Sequence, residues 1–582
     1  MKPQSLYGLF LERLRVSGNQ CAYLQWHKER DAWHEYTWQD IAKRIGRMQH
    51  SFRSENLEAG DRVAIMLANG VDWIVFDQAA LGCGLITVPL YNHDNAGNVA
   101  HILKDSGAKL LFSDATRIEN LVLDDLPELQ RVVSIDKKVD NEPRCVCASD
   151  WEAQEDALLP DEIDGEALAS IIYTSGTTGP PKGVMLTHAN ILKNAQAAAT
   201  VADIGTDDLF LSFLPLSHSF ERTAGYYMTM WVGAKVAFSR SLQQIKSDLQ
   251  DIKPTVLISV PRLYEQMYDR LTTSLSQRPL VIQKLFQFTV ALGWYRRSSS
   301  FARLISLPIW PIMDLLFASK LRQVFGGRMR FTISGGAPLD PALSKLFASL
   351  GATIYQGYGL TESSPVVSVN FPDLAIGSVG KALPGVEVKI GENDELLVRG
   401  SNVMQGYWRL PDKTAEAIDS EGWLYTGDQA RLDQAGRLYI TGRIKEIIVL
   451  SNGEKIAPAD IEHVLVHDPL FQQAMVYGEG QAFLIALLVL DEEAITRYLQ
   501  THPMLDAKTE LSSTRLHTEL NKHVNQLMDA FPAYAKIRRI VCLTEPWTIE
   551  NGLLTPTLKL KRARVVERYQ DQIKQAYGAV EK

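Results

Sequence analysis

Short apolar runs alternate with stretches of helical period through the first half of this 582-residue chain, and that alternation limits its fold more than any other feature. Val63-Ala64-Ile65-Met66-Leu67, Leu110-Leu111-Phe112 and Val132-Val133-Ser134-Ile135 read as buried strands. Strands that are apolar on both faces and separated by helices build a parallel sheet with helices packed outside. Val256-Leu257-Ile258 and Met329-Arg330-Phe331-Thr332-Ile333 extend the pattern, each ending in a turn. No short-period repeat interrupts it. Hydrophobic residues at 46% and charged residues at 22% are ordinary globular proportions, which excludes wholesale disorder and fibrous classes.

The texture changes twice. From about residue 376, Gly377-Ser378-Val379-Gly380 opens a stretch where apolar and polar residues alternate around Gly and Asn-Asp turns, as in a small antiparallel sheet or barrel. After Gly442-Arg443 come a hairpin-like run, a helix around Pro458–Val466, strands at 474–477 and 483–490, and charged helices. A compact C-terminal α+β domain is expected there, joined by a short hinge rather than a flexible tether.

Sixty Lys and Arg against 68 Asp and Glu give a net charge of -8, so the chain is not built around nucleic-acid phosphates. Five scattered cysteines, Cys21, Cys83, Cys145, Cys147 and Cys542, suit reduced thiols in a cytoplasmic setting. The start of the chain is no secretory leader: Leu6, Leu9, Phe10 and Leu14 recur at helical spacing between Glu12, Arg13 and Arg15. The most lipid-like run, at 304–313, is broken by Pro308 and Pro311, and a spanning helix needs about 20 apolar residues. Region 279–325 nevertheless mixes Leu, Ile, Phe and Trp with Arg296, Arg297 and Arg303, a composition suited to peripheral contact at the inner face of a membrane.

One segment carries the strongest chemical signal. Ile171-Ile172-Tyr173-Thr174 ends an apolar run, and Ser175-Gly176-Thr177-Thr178-Gly179-Pro180-Pro181-Lys182-Gly183 follows. Gly176, Gly179 and Gly183 permit positive φ and close approach of backbone to a ligand. Thr174, Ser175, Thr177 and Thr178 supply hydroxyls, and Lys182 a point charge; these are the parts of a polyphosphate cradle. A Walker loop is excluded, because Lys182 is followed by Gly183 rather than Ser or Thr.

This loop resembles the phosphate loop of the adenylate-forming (AMP-binding) superfamily, and further elements follow in that family's order. Ser334-Gly335-Gly336-Ala337-Pro338 is similar to a turn that lines the adenine pocket. Tyr355-Gln356-Gly357-Tyr358-Gly359-Leu360-Thr361-Glu362 resembles the element that stacks adenine, contacts phosphate through Thr361 and holds magnesium on Glu362. Trp423-Leu424-Tyr425-Thr426-Gly427-Asp428 resembles the ribose-binding element. Arg443 would add a ribose or phosphate contact, and Lys445 stands where the family places its hinge. Lys559 with Arg562 is similar to the Lys-x-x-Arg pattern around the catalytic lysine, although Leu558 replaces the usual Gly; Lys561 is the competing candidate.

The resemblance implies an α/β fold: a large N-terminal domain of two mixed sheets with packed helices plus a small β-barrel, at 1–441. A hinge at 442–446 and a mobile α+β lid domain at 447–582 complete it. The local texture of Phe213-Leu214-Pro215-Leu216-Ser217-His218-Ser219-Phe220-Glu221-Arg222 and of Asn402-Val403-Met404-Gln405-Gly406-Tyr407 is similar to the long-chain fatty acyl branch. His218, Tyr226 and Gly336 would then border the acyl or coenzyme A pocket.

The implied reaction explains the residue types. A carboxylate must attack the α-phosphorus of ATP, so two anions have to meet. Mg2+ on Glu362, the hydroxyl-glycine loop and Lys182 would neutralise the outer phosphates, and Lys559 would bridge carboxylate and α-phosphate. Rotation about Lys445 would then withdraw Lys559 and admit coenzyme A. ATP, Mg2+ and coenzyme A are therefore expected, with small-molecule partners, no nucleic acid, and peripheral membrane contact and a homodimer left open. Two other readings stand beside this one: transfer to an acyl carrier protein, and a catalytically silent ATP- and fatty-acid-binding protein at a membrane.

Overall fold

The computed structural model describes residues 3–140, 142–174, 181–501, 514–529, 531–555 and 559–578. Among these residues the strands form two large mixed sheets, a four-stranded antiparallel sheet and two small C-terminal sheets. The apolar runs singled out in the sequence lie inside the large sheets as Arg62–Met66, Leu110–Ser113, Arg131–Ser134, Val256–Ser259 and Phe331–Ser334, and their pairing is parallel as expected. Their side chains are buried on both faces, which is why these strands read as continuous apolar runs.

The eight-stranded sheet runs Gly406–Tyr407, Lys182–Thr187, Leu168–Thr174, Ile86–Pro89, Arg62–Met66, Leu110–Ser113, Arg131–Ser134 and Cys145–Cys147. The nine-stranded sheet has Phe331–Ser334 and Ile354–Gly359 side by side, with their carboxyl ends pointing the same way. Helices such as Trp38–Ser54 and Val71–Gly82 pack between and over the sheets; Trp38, Phe52, Trp73 and Phe76 are buried there. The amphipathic N-terminal helix is Leu6–Ser17, capped by Ser5.

The barrel-like portion expected after residue 376 is the antiparallel sheet Val386–Ile390, Glu395–Gly400, Leu424–Leu432 and Leu438–Arg443. Past the short turn Ile444–Glu446, a separate apolar core gathers under Phe471–Tyr477, Leu484–Leu490 and Ile537–Leu543. The helix expected near 458 is Pro458–Val466, with Pro458 at its first position, where a missing N–H does no harm.

A buried polar cluster ties helix Val71–Gly82 and the helical segment Glu221–Tyr227 to the eight-stranded sheet near the loop. Arg222 is 1% exposed and pairs with Asp77, and its guanidinium also donates to Ser170 Oγ and Thr87 Oγ1, each at 2.7 Å. The hydroxyls of Tyr226 and Tyr227 donate to Asp77 Oδ2 at 3.2 and 2.6 Å. Paired and hydrogen-bonded charges are the form in which burial is tolerated, and Ser170 belongs to the strand that leads into the loop.

Candidate active site

Two adjacent strands deliver the hydroxyl-glycine loop. Leu168–Thr174 and Lys182–Thr187 pair antiparallel, with Thr174 directly opposite Lys182. The chain thus leaves and re-enters the sheet at one point. Ser175, Gly176, Thr177, Thr178 and Gly179 lie outside the described residues; Thr174 and Lys182 mark the loop's two ends. Lys182 Nζ sits over the Tyr407 ring, 5.0 Å from its centre. Gly183 departs from expectation. A Cβ there would meet Ile171 Cγ2 at 2.7 Å and Trp408 Cβ at 3.2 Å, so this glycine serves strand packing rather than ligand approach.

Tyr407 links the loop to the carboxylate expected to hold a metal. It pairs with Val184 at the sheet edge, and its hydroxyl donates to Glu362 Oε1 at 3.0 Å. Burial, with Glu362 adding, holds the Tyr407 phenol above its ordinary pKa, so it remains a donor. The sequence reading quoted Tyr407 without giving it a role; the only signal was its place at the end of the Asn402–Tyr407 run. Glu362 and Thr361 stand in the turn Thr361–Ser363 just past strand Ile354–Gly359, and the hydroxyls of Thr361 and Ser219 share a 3.2 Å hydrogen bond.

The strand Ile354–Gly359 and the neighbouring turn after Ser334 present backbone and small residues. Gly336 has φ +81° and no atom within 4 Å of a would-be Cβ, so it shapes an open turn, followed by exposed Ala337. A Cβ on Gly335 would meet the Phe220 ring at 3.0 Å. The backbone N–H of Gln356 donates to Asn370 Oδ1 at 2.7 Å, while its buried side-chain Nε2 has no partner among the described residues. An unmatched buried donor here is what a ligand acceptor would satisfy. A Cβ on Gly357 would come within 3.4 Å of Ser368 O, and Gly359 lets Pro365 O approach, so both also serve the antiparallel pairing with Val366–Val369.

Asp428 and Arg443 face each other in register across adjacent strands, and Arg443 Nε donates to Asp428 Oδ1 at 3.1 Å. The Tyr358 hydroxyl donates to Asp428 Oδ2 at 2.6 Å, and burial together with Asp428 raises that phenol well above its usual range. The aromatic ring and the ribose-type carboxylate are thereby locked to one another. A carboxylate offers about four lone-pair directions, so hydroxyls can still bind.

Lys559 brings the small domain into this group. A backbone bridge joins Leu554 and Leu560, and Lys559 N donates to Thr555 Oγ1 at 3.0 Å. The charges of Arg443, Asp428, Glu446 and Glu362 all act on the Lys559 ammonium. Burial by surrounding protein, then repulsion from Arg443, lowers its pKa, although solvent still reaches the side chain. Lys561 precedes the helix Arg562–Arg568, and its charge only weakly opposes the rise that burial imposes on the Asp94 carboxyl. Arg562 is held inside the small domain by Glu462 and by Val476 O at 3.2 Å. Lys445 is exposed in the turn that joins the domains.

The acyl-side candidates divide. His218 Nδ1 accepts from Phe220 N at 3.2 Å; burial, with Lys559 adding, lowers its pKa to about 4, so the imidazole is neutral. Tyr226 is 1% exposed within the Asp77 cluster and accepts from Gln78 Nε2 at 2.6 Å. The structure therefore puts Tyr226 in packed polar core, at the end of the helical segment Glu221–Tyr227 that follows His218, rather than lining an open cavity.

Hydroxyls, a carboxylate with its tyrosine, a locked ring–carboxylate pair and two lysines from different domains equip an enzyme that handles a nucleotide polyphosphate. The chain belongs to the AMP-binding enzyme family: the family's model matches residues 12–408, and the model of the AMP-binding enzyme C-terminal domain matches 445–581. It is 34% identical to a long-chain-fatty-acid–CoA ligase of Mycobacterium bovis over 94% of this chain and 93% of that protein. It is 33% identical to fatty acyl-CoA synthetase A of Dictyostelium discoideum, covering 90% of this chain and 82% of the relative. Among solved structures, the adenylation domain of a carboxylic acid reductase from Segniliparus rugosus, bound to AMP and a co-purified carboxylic acid, superposes with a TM-score of 0.78. That match has 22% identity, over 100% of this chain and 95% of that one.

Proposed function

We propose that this protein is an AMP-forming long-chain fatty acid–CoA ligase. It joins a fatty acid to AMP with loss of pyrophosphate, then transfers the acyl group to coenzyme A. The observation that carries the reading is the hydrogen-bonded Tyr358–Asp428–Arg443 group of the large domain, whose charges, with that of Glu362, act on Lys559 from the small domain. Lys559 orients the attacking carboxylate and offsets charge at the α-phosphate. Thr174, Lys182 and the intervening loop take the β and γ phosphates. Gln356 Nε2 and the Tyr358 ring receive the base, and Asp428 the ribose. His218, neutral and beside Lys559, borders the entry of the acyl carboxylate without adding a second positive charge.

Magnesium fits the oxygen donors here. Glu362 Oε1 is held by Tyr407, and among the described residues Oε2 has no hydrogen-bond partner. A hard cation taken up by Glu362 and Thr361 would neutralise phosphate charge. Withdrawal of Lys559 by rotation at Lys445 would open the thiol step. The test is pyrophosphate release with palmitate, octanoate, acetate or benzoate, with and without coenzyme A. Palmitate-dependent release accompanied by palmitoyl-CoA is expected. Release that yields thioester only with an acyl carrier protein would overturn the choice of thiol, and no release would overturn the reaction.

A lipid bilayer is the surface partner we propose. Among the described residues, 12 of 20 exposed large hydrophobic side chains lie between 280 and 316. On helix Leu280–Ser298, Val281, Phe288 and Tyr295 recur every seventh residue on the solvent side, while Phe286, Thr289 and Gly293 face the core. Between 278 and 322 the only acid is Asp314, against seven Lys and Arg. Apolar side chains among cations suit an anionic bilayer, whereas a twofold copy of this face would oppose like charges. No helix among the described residues is long and apolar enough to cross a membrane, so contact would be peripheral. Wild type should float with phosphatidylglycerol vesicles and Leu304→Glu/Ile312→Glu should not. Equal behaviour of the two, or a dimer lost in the variant without any vesicle binding, would overturn the lipid assignment.

A further inference from the structure

Where the two domains touch, three ligand-type side chains meet that no step above uses. Asp340 caps helix Pro341–Ser349 of the large domain, its Oδ1 accepting from Ala342 N at 2.6 Å. Its Oδ2 turns to the small domain, where His467 Nε2 lies at 3.4 Å and His463 Nε2 at 3.8 Å. The histidines are four residues apart at the end of helix Pro458–Val466, so their rings share a face, with centres 4.2 Å apart. The three candidate ligand atoms all lie within 4.8 Å of one another.

The proton positions matter here. His467 Nδ1 is 2.7 Å from the carbonyl oxygen of His463. A carbonyl only accepts, so Nδ1 carries a proton. The neutral ring then points its Nε2 lone pair at a carboxylate oxygen, and two acceptors facing each other need a cation or a second proton between them. A histidine whose outer nitrogen donates to a backbone carbonyl is also the usual orientation of a metal ligand. Tetrahedral zinc at about 2.0–2.2 Å from N and O ligands separates them by roughly 3.3 Å, close to the spacing found here.

We propose that Asp340, His463 and His467 bind a divalent transition-metal cation of the zinc type, with solvent completing the coordination, and that this cation latches the small domain to the large one. On the reading of the reaction given above, the latched arrangement is the one with Lys559 in the site, so the bound cation would slow the thioester step more than adenylate formation.

The test uses the full chain, stripped with chelator and titrated with zinc chloride against a chromophoric zinc indicator, without substrates. One zinc per chain is expected, weakened at least tenfold by His463→Ala or His467→Ala and lost in the double variant. His34→Ala, in the other close histidine pair, should leave it intact. No retained zinc, or equal binding by wild type and double variant, overturns the site. Tryptic cleavage around Arg443 and Lys445 reads the latch. Zinc should slow it in wild type and not in Asp340→Asn, and equal protection of both would overturn the bridging role. Neither readout depends on the acyl substrate.

Discussion

Two lysines reach the neighbourhood of Glu362 and are held in opposite ways. Lys182 is part of the large sheet: it stands in register with Thr174 and lies on the ring of Tyr407, which itself bonds Glu362. Lys559 belongs to the small domain, next to Leu560 of the Leu554–Leu560 bridge, and that domain connects to the large one through the turn Ile444–Glu446. One cation is fixed in the sheet, and the other is carried by a part of the chain with its own apolar core. On the function proposed above, one cleft would thereby serve two half-reactions: charge needed throughout would be built into the sheet, and charge needed once into the small domain.

The sharpest way to break the comparison is Lys559→Ala. Losing one preorganised donor typically costs 10²–10³ in rate. Adenylate formation, followed by pyrophosphate exchange, should fall by about that factor, while thioester formation from supplied acyl adenylate survives. Equal loss in both steps would mean that Lys559 is part of the frame after all. Lys561→Ala should change pyrophosphate exchange little, since its charge acts on Asp94, whereas those of Glu362, Asp428 and Arg443 act on Lys559.

Lys182→Ala should be milder and should not discriminate between steps in the same way. A charge-assisted hydrogen bond is worth about 1.5–3 kcal/mol, or roughly 10–10² in affinity. The expected outcome is a higher KM for ATP with the thioester step from supplied adenylate unchanged. A collapse of kcat at saturating ATP would place Lys182 at the reacting centre. Tyr407→Phe comes next. Removing a partner that orients a metal-binding carboxylate typically costs about 10–100-fold in metal affinity, and the low end is expected because Glu362 keeps its position in the turn. The readout is the Mg2+ concentration for half-maximal activity; no shift would separate Tyr407 from the metal.

The fixed and movable halves were not equally legible in the sequence. The frame announces itself locally: the apolar runs, the hydroxyl-glycine loop and the Thr361-Glu362 pair are contiguous, and the motif order puts them in one cleft. Lys559 was legible as one of two lysines. What separates it from Lys561 is which residues each one faces, and that is a tertiary fact. Tyr407 and the Asp77–Arg222 cluster escaped because their partners lie far off in sequence: 45 residues separate Tyr407 from Glu362, and 145 separate Arg222 from Asp77. Tyr226 misled because an aromatic beside a binding motif reads the same whether it lines a cavity or braces a helix. The Asp340–histidine contact was invisible for a further reason: it exists only when the two domains touch.

The mildest test stays entirely within the frame. Glu221 opens the helical segment Glu221–Tyr227, is 1% exposed and has an Oε2 with no partner among the described residues, and burial raises its pKa to about 8. Its folded form therefore prefers the proton. The stability this contributes is fully present below the ordinary value of 4.5 and is lost as pH rises through about 8. His218, three residues earlier, has the opposite sign: burial, then Lys559, lowers it from 6.5 to about 4, so its contribution is present above 6.5 and is lost as pH falls through 4. Glu221→Gln keeps the shape and removes only the first dependence. Relative to wild type it should gain stability steadily from pH 4.5 to 8, by at most about 1.4 kcal/mol per pH unit, and the His218 limb on the acid side should remain. Denaturant unfolding at a series of pH values measures both limbs. Parallel curves for the two proteins would mean that Glu221 finds a partner and ionises in the folded frame. In that case the turn under His218 is held by charge, as the movable side is, rather than by packing.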